Sequence, residues 1–293
     1  MELRQIIEHI SAVSLPKSAT ITQLKHHEDN GHYQVWIIDA RNERYILKEA
    51  KGSEKEIYQS TITGIKGSIP SLYQTITIDE KTYLLEYIDG EDLCKCNRKK
   101  LIHALDALIS IQQKTWETHA VDELEYSLKK SLAQRQNRGK YLNDLLLEEA
   151  YEKFLEVFQL LPKTLCHDDL LPFNVIANNN KAFLIDWECC GFLPYPTSFA
   201  RLIAHTEENY NALFYMTKTD KCFAIDYYYD NLLKEKGISY NDWLNTLDYF
   251  LFYEYCEWVF VGNKYNTTDS EYYKKYLPLA KQHAIKILKN KNQ

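Results

Sequence analysis

Apolar residues in the N-terminal third of the chain fall first at helical spacing and then at strand spacing. Between residues 3 and 13 they recur at i, i+3, i+4, i+7 and i+10, which predicts an N-terminal amphipathic helix. From Ala19 onwards, short runs rich in β-branched and aromatic residues alternate with polar turns, a pattern typical of strands. We therefore expect a five-stranded antiparallel sheet within residues 15–88, built from TITQLK, YQVWIID, RYILKEA, LYQTITI and TYLLEYI.

One helix is predicted within this sheet. Ser53 and Glu56 form the pattern S-x-x-E, a capping box in which each side chain bonds the backbone N–H of the other residue. This pattern predicts a helix that starts at Ser53 and continues to Ile62. Capping alone is therefore enough to explain Glu56.

Beyond the segment IDGEDL (88–93), the apolar spacing becomes mainly helical. Helices are predicted over about 123–140 and 142–160, and again from Ser198 to the end. A short β-rich island, VIAN and AFLIDW, interrupts them over 175–187.

These elements predict an α+β protein with two lobes. The first, over 1–89, is a small antiparallel-sheet lobe with one inserted helix, and the second, over 90–293, is larger and mostly helical. A chain of 293 residues is long enough for two lobes around a cleft. With 45% hydrophobic residues it is too apolar to be disordered.

Charge and cysteine spacing narrow the choice of partner and compartment. The net charge of −6 argues against nucleic-acid binding and favours a cationic small molecule. The seven cysteines form no C-x-x-C pattern, so free thiols in a reducing cytoplasm are expected. The most membrane-like run, 249–262, is interrupted by Glu254 and Glu257 and is too short to span a bilayer. We therefore expect a cytoplasmic protein with no membrane partner.

The stretch CHDDLLPFN concentrates groups that suit phosphoryl transfer. His167, Asp169 and Asn174 follow the spacing H-x-D-x-x-x-x-N, and Asp186 ends the apolar run AFLID. Transfer from ATP needs a carboxylate that orients and deprotonates the acceptor hydroxyl. It also needs an amide and a second carboxylate that hold Mg²⁺ against the phosphates. A short hairpin between the loop and Asp186 would bring these groups together.

Together these motifs resemble the aminoglycoside phosphotransferase and choline kinase family. CHDDLLPFNVI followed by FLIDWE is similar to the family's H-G-D-L-x-x-x-N signature and to its strand ending in D-W-E or D-F-E. RYILKE is similar to the strand that carries the ATP-phosphate lysine, and YLLEYIDGEDL is similar to the hinge strand with its glycine. The resemblance implies a bilobal protein-kinase-like fold, ATP and Mg²⁺ as cofactors, and a small-molecule acceptor.

The resemblance also implies roles for the residues of the loop. Asp169 would be the catalytic base, and Asn174 and Asp186 would hold Mg²⁺. Asp168 stands where the family usually has glycine, so either aspartate could face the substrate. The five-residue step to Asn174 favours Asp169.

In the first lobe, the resemblance implies the residues that bind the nucleotide. Lys48 would contact the α- and β-phosphates of ATP. Its ion-pair partner would be Glu56, with Glu54 as the alternative. The hinge segment from Glu86 to Ile88 would bind adenine through backbone groups.

Acidic and aromatic residues of the C-terminal helices are candidates for the acceptor site. A pocket of carboxylates and rings suits a cationic acceptor, because carboxylates pair with ammonium groups and rings add cation–π attraction. The alternative is that these aromatic stripes pack the core. The candidate contacts are Asp230, Glu254, Glu257 and Trp258.

The sequence thus predicts an ATP- and Mg²⁺-dependent phosphotransferase, monomeric or homodimeric, acting on a hydroxyl of a small, amine-bearing molecule. A nucleotide-binding pseudokinase scaffold is one alternative, but the intact set of catalytic residues favours an enzyme. A protein Ser/Thr kinase is a second alternative. No A-P-E motif follows Asp186, which argues against that class.

Overall fold

The computed structural model of the chain describes residues 19–25, 31–40, 43–51, 54–56, 58–59, 68–69, 72–75, 82–118 and 128–289. The predicted N-terminal helix over 3–13 and most of the turn HHEDNGH lie outside the described residues. The predicted helix from Ser53 is described only in part, as helix α1, Glu54–Glu56.

The first lobe contains the predicted five-stranded sheet. The strands pair in the order β1-β2-β3-β5-β4, and every pairing is antiparallel, so this prediction is confirmed. Strand β3 lies in the centre, where Lys48 pairs with Val35 on one side and Tyr83 on the other. The strands are β1 Thr20–Lys25, β2 His32–Ala40, β3 Glu43–Glu49, β4 Leu72–Thr75 and β5 Thr82–Glu86.

Helices dominate the rest of the described chain, as predicted, which confirms the α+β class. Helix α4 begins three residues later than predicted, because the Asp144 side chain accepts a hydrogen bond from Leu147 N and caps the helix there. The helices are α2 Arg98–Thr115, α3 Leu128–Gly139, α4 Leu145–Leu160, α5 Pro196–Ala204, α6 Lys218–Tyr228, α7 Tyr240–Lys264 and α8 Glu271–Lys289.

Two small sheets position the motifs of the second lobe. The strands are β6 Glu91–Asp92, β7 Lys163–His167, β8 Val175–Ala177, β9 Ala182–Leu184 and β10 Cys190–Pro194. Strand β7 pairs with β10, whereas β8 lies between β6 and β9, all antiparallel. Helix α2 packs against β7, β8 and β9 and thus supports both sheets.

Gly90 follows the sheet of the first lobe and lies against β8. A Cβ at this position would lie 2.6 Å from Ala177 O and 2.9 Å from Ile176 Cγ2. Only glycine lets the chain come this close to β8, which explains the glycine after the predicted hinge. No helix of the described segments is long and apolar enough to cross a membrane.

Candidate active site

Backbone hydrogen bonds hold the loop between β7 and β8 in place. Asp168 N donates to Cys189 O at 2.8 Å, Leu171 N to Asp169 O at 2.8 Å, and Asn174 N to Leu171 O at 2.8 Å. The pairing of β7 with β10 brings Cys189 next to the loop. The backbone of the two acidic residues is therefore held in one fixed turn.

His167 braces this loop by hydrogen bonds. Its Nδ1 accepts from Asp169 N at 3.2 Å, so the ring proton is on Nε2, which donates to Ile185 O at 2.8 Å. Burial lowers the pKa of His167, in agreement with a neutral ring. Ser198 Oγ accepts from His167 N at 2.8 Å. The helix that was predicted from Ser198 begins at Pro196, so Ser198 lies within α5 and supports the loop.

Asp186 is brought to the loop by the β8–β9 hairpin. Ile185 N donates to Asn174 O at 3.0 Å, and the backbone of Asp186 is left-handed, with φ 64° and ψ 60°. Such a conformation is uncommon outside glycine and is concentrated at functional sites. It turns the chain directly after β9, at the point where the carboxylate meets Lys48.

Lys48 joins the sheet of the first lobe to this hairpin. Its Nζ lies 2.5 Å from Asp186 Oδ1 and 2.7 Å from Glu54 Oε1. Burial opposes the charged lysine, but the two carboxylates outweigh it, and the pKa of Lys48 is raised. Burial likewise opposes the charged form of Asp186, but Lys48 lowers its pKa. The lysine is therefore a permanent cation at the cleft.

The ion pair of Lys48 corrects the prediction of Glu56. Glu54, the alternative, occupies the first position of α1 and is completely buried next to Lys48. Helix α1 directs Glu54 towards the sheet, where its carboxylate meets Lys48. Sequence spacing could not separate the two, because both glutamates lie in the same helical turn.

Asn174 and Asp186 form a donor set that fits Mg²⁺. The Asn174 amide nitrogen donates to Asp169 O at 2.8 Å, which leaves its amide oxygen as the ligand atom. Asp186 supplies a carboxylate whose side chain is 38% exposed to the cleft. Hard oxygen ligands of this kind are those that Mg²⁺ prefers, with water and phosphate oxygens completing its shell.

Asp168 faces into the second lobe. Its Oδ1 lies 2.7 Å from Arg135 Nη2, and the guanidinium lies between the rings of Phe158 and Tyr253, 4.5 Å from each centroid. The arginine side chain is 1% exposed and the aspartate side chain 8% exposed. This pairing explains why an acidic residue replaces the usual glycine: it neutralises a buried arginine from α3.

Removing the charge of Asp168 is therefore expected to cost stability but not chemistry. Asp168→Asn removes a counter-charge that lies 2.7 Å from the buried Arg135 guanidinium, which costs about 3–5 kcal/mol in the free energy of unfolding, measured by urea denaturation. The double variant Asp168→Asn/Arg135→Met removes both charges and should recover much of this loss. Equal stability of the wild type and Asp168→Asn would contradict the proposed role of the pair.

Asp169 faces the cleft. On its buried side it is bound by an arginine that the sequence motifs did not indicate. Arg201 Nε and Nη2 lie 3.2 and 2.8 Å from Asp169 Oδ1. The Asp169 side chain is 37% exposed, whereas that of Arg201 is 14% exposed. Burial raises the pKa of Asp169 and Arg201 opposes this. The one available signal was an arginine among the apolar residues of PTSFARLIAH.

Glu254 and Glu257 bind the other side of Arg201. Arg201 Nη1 donates to Glu254 Oε2 at 2.9 Å and to Glu257 Oε2, and Arg138 Nη1 lies 3.7 Å from Glu257 Oε1. Burial alone would raise the pKa of Glu257, but the two arginines lower it to about 2. Both glutamates, predicted as contacts for the acceptor, thus bind an arginine of the protein that also contacts Asp169.

The remaining two acceptor candidates lie in other surroundings. Asp230 is exposed and lies 3.7 Å from Lys234. The buried positions of this helical segment are Ala224, Tyr228, Leu232 and Leu233, so Asp230 points away from the core. Trp258 is partly buried against the main hydrophobic core and stacks on the exposed Tyr272 with ring centroids 4.3 Å apart, which agrees with the alternative that these rings pack the protein.

A cavity of about 290 Å³ opens between the sheet and the loop. It is lined by Tyr33 of β2, Asp92, Phe173 of the loop, and Leu213. Phe173 directly precedes Asn174 in the loop, but neither Asn174 nor Asp186 lines the cavity.

The chain matches one family model and shares its fold with proteins of known structure. Residues 20–220 match the model of a phosphotransferase enzyme family, whereas comparison with curated proteins gave no match. The choline kinase LicA from Streptococcus pneumoniae has a TM-score of 0.62 at 18% identity, covering 97% of this chain and 98% of that chain.

Two further solved structures share the fold. An ethanolamine kinase from Plasmodium vivax has a TM-score of 0.59 at 14% identity, covering 90% of this chain and 81% of that chain. A thermostable mutant of aminoglycoside phosphotransferase APH(4)-Ia, solved with AMP-PNP and hygromycin B, has a TM-score of 0.57 at 13% identity, covering 98% of this chain and 97% of that chain. At such identities the similarity is one of fold, and it confirms the predicted kinase-like fold.

Proposed function

The chain belongs to the phosphotransferase enzyme family, as its motifs predicted, and we propose that it is an ATP- and Mg²⁺-dependent kinase of a small, amine-bearing alcohol. One observation carries this proposal. Lys48 from the sheet, Asp186 from the hairpin and the loop with Asp169 and Asn174 meet at one cleft. A cation for phosphates, two oxygen ligands for a metal and an exposed carboxylate are the groups that phosphoryl transfer needs.

The sheet side of the cleft would bind the nucleotide. Lys48, kept charged by Glu54 and Asp186, would bind the α- and β-phosphates, and the backbone from Glu86 to Ile88 would bind adenine. Asn174 and Asp186 would hold Mg²⁺, which when bound offsets the negative charge of the phosphates.

The loop side would bind and activate the acceptor. Asp169 would accept the proton of the acceptor hydroxyl as the oxygen attacks the γ-phosphorus of ATP, and ADP would leave. The fixed backbone of the loop keeps this carboxylate in one place, and most of the catalytic gain in such reactions comes from positioning and electrostatics. Because none of these groups is missing, an enzyme is favoured over a pseudokinase scaffold.

An amine-bearing acceptor is supported by charge and by the solved structures. The net charge of −6 favours a cationic ligand. The similar structures are described as choline, ethanolamine and aminoglycoside kinases, and these acceptors all carry amines. An ammonium group of the acceptor would be attracted to the Asp169 carboxylate itself, whose side chain is 37% exposed.

ADP release from ATP with an acceptor panel tests this proposal. The panel contains choline, ethanolamine, an amino sugar and several aminoglycosides, with a macrolide and a generic protein as comparison acceptors. Stimulation by an amine-bearing alcohol is expected, and omission of Mg²⁺ should abolish it. Stimulation by the protein alone would contradict the small-molecule proposal.

We further propose a lobe boundary after residue 89, cytoplasmic location, and a monomer or homodimer. Strand β5 ends at Glu86, and the close contact at Gly90 already belongs to the second lobe. All seven cysteines are unpaired, which fits a reducing compartment.

A further inference from the structure

One guanidinium group connects the exposed carboxylate of the cleft to two carboxylates that lie deeper. Arg201 reaches Asp169 through Nε and Nη2, and Glu254 and Glu257 through Nη1. The exposed fraction of the side chain falls from 37% at Asp169 to 22% at Glu257 and 4% at Glu254. The arginine therefore separates the two glutamates from the place where an acceptor hydroxyl would meet Asp169.

The contacts with Asp169 are directional. Both nitrogens bind Oδ1, and the second carboxylate oxygen, Oδ2, receives neither bond. A planar guanidinium presents its donors in a fixed geometry, so two bonds to one oxygen define the plane and rotation of the carboxylate. Oδ2 is then the oxygen that can take a proton from the acceptor.

Helix α5 supports the loop at two points one turn apart. Ser198 Oγ accepts from His167 N at 2.8 Å, and Arg201, three residues later, binds the Asp169 side chain. Residues three apart lie on the same face of a helix. One face of α5 therefore positions the backbone before the two aspartates and the side chain of the second.

We propose, resting on the function proposed above, that Arg201 is a positioning residue that orients Asp169, and that Glu254 and Glu257 act on the reaction only through Arg201. The two glutamates anchor the arginine and do not bind the acceptor. An acceptor cation would have to displace Arg201 from three carboxylates to reach Glu254.

The same geometry argues against a metal at this cluster. His205, Glu254 and Glu257 offer ligand atoms within 4.8 Å of one another. Arg201 Nη1, however, contacts all three residues, so a permanent cation of the protein already occupies the space between them. The role that remains for this cluster is to position Asp169.

A double-mutant cycle between Arg201 and Glu257 tests the proposal. ADP release from Mg·ATP is followed with choline, ethanolamine and kanamycin A as acceptors, and with water alone. Arg201→Met should lower kcat about 100-fold while KM values stay within about twofold, because displacement of a reacting group costs rate and not affinity. Arg201→Lys should have a kcat about tenfold higher than that of Arg201→Met, because lysine supplies one charged donor group in place of the planar guanidinium.

Glu257→Gln distinguishes an anchor from an acceptor ligand. It should lower kcat about tenfold in the wild-type background and have no further effect in the Arg201→Met background, because coupled residues are not additive. A raised acceptor KM with unchanged kcat, or an equal loss in both backgrounds, would overturn the proposal. Asp248→Asn is the matched control. This residue lies on the same helix, α7, is 23% exposed and pairs with His283 at 2.9 Å, so kcat should be unchanged.

A second measurement does not depend on turnover. If the wild type releases no ADP with any acceptor or with water, the proposed function fails, and crystal structures of the variants decide the positioning role. The Asp169 carboxylate should rotate away from its wild-type orientation in Arg201→Met and keep it in Arg201→Lys. An unchanged orientation in Arg201→Met would overturn the proposal.

Discussion

Asp169→Asn is expected to lower kcat about 1000-fold, because the amide cannot accept the proton of the acceptor hydroxyl. The substitution is nearly isosteric and leaves the bracing of the loop through His167 and Asn174 intact. Affinity for ATP should stay within about twofold, since phosphate binding is assigned to Lys48 on the other side of the cleft. Steady-state ADP release gives kcat, and calorimetric titration gives the affinity for ATP.

Asp220→Asn is the control for this substitution. Asp220 is 14% exposed and pairs with Arg98 at 2.7 Å in the same lobe, so its replacement removes another arginine-paired carboxylate, one that lies outside the cleft. Wild-type turnover is expected in this control. If Asp169→Asn retained more than about a tenth of the wild-type kcat, general base catalysis by Asp169 would be refuted.

Asp186→Asn is expected to abolish the dependence of turnover on Mg²⁺ and to lower kcat by about 1000-fold. Charge stabilisation by a bound metal is worth several kcal/mol, and each 1.4 kcal/mol corresponds to about tenfold in rate. Lys48 keeps Glu54 as a buried partner at 2.7 Å, so the lysine should remain in place. Calorimetric titration with ATP, with and without Mg²⁺, measures the effect on binding separately from catalysis.

The nearby Glu188 provides the control for Asp186. Glu188 lies two residues further along the same turn, is 27% exposed and contacts Lys51 at 3.3 Å. Glu188→Gln should therefore keep the Mg²⁺ dependence of the wild type. If Asp186→Asn bound Mg·ATP as tightly as the wild type, another residue would have to be the metal ligand.

Local patterns sufficed to predict the sheet and the position of the chemical groups in the chain. Strand periodicity and polar turns are short-range features, so five antiparallel strands followed from the residues alone. The motif from His167 to Asn174 lies in one loop, and the apolar strand before Asp186 belongs to one hairpin. Both are therefore short-range features as well. The family match over 20–220 confirms the resemblance drawn from these motifs, whereas the individual catalytic roles stay predictions.

The tertiary contacts of the site could not be predicted from such patterns. Lys48 takes Glu54 and not Glu56 because the direction of a single helical turn decides between them, and spacing does not give that direction. Arg135 and Arg201 come from helices α3 and α5, and they reach the two aspartates only through the packing of the lobe. These two arginines can be identified as partners of the aspartates only once the fold is known.

The acceptor candidates illustrate the same point for charged residues. An acidic residue in an aromatic helix was interpreted as a contact for a cation, yet Glu254 binds Arg201 at 2.9 Å and Asp230 is exposed. A carboxylate in a sequence carries no information about the cation that neutralises it. Charge complementarity with a ligand can therefore be argued only after the protein's own cations have been assigned.

The most direct test of the proposed kinase activity is ³¹P NMR of ATP, Mg²⁺ and the acceptor panel incubated with the protein. We expect a new phosphomonoester resonance that grows in step with ADP and is absent with Asp169→Asn. Formation of inorganic phosphate without a phosphomonoester would mean hydrolysis and no transfer to a small molecule. ATP that stays intact with every acceptor, although the protein is folded, would contradict the proposed function.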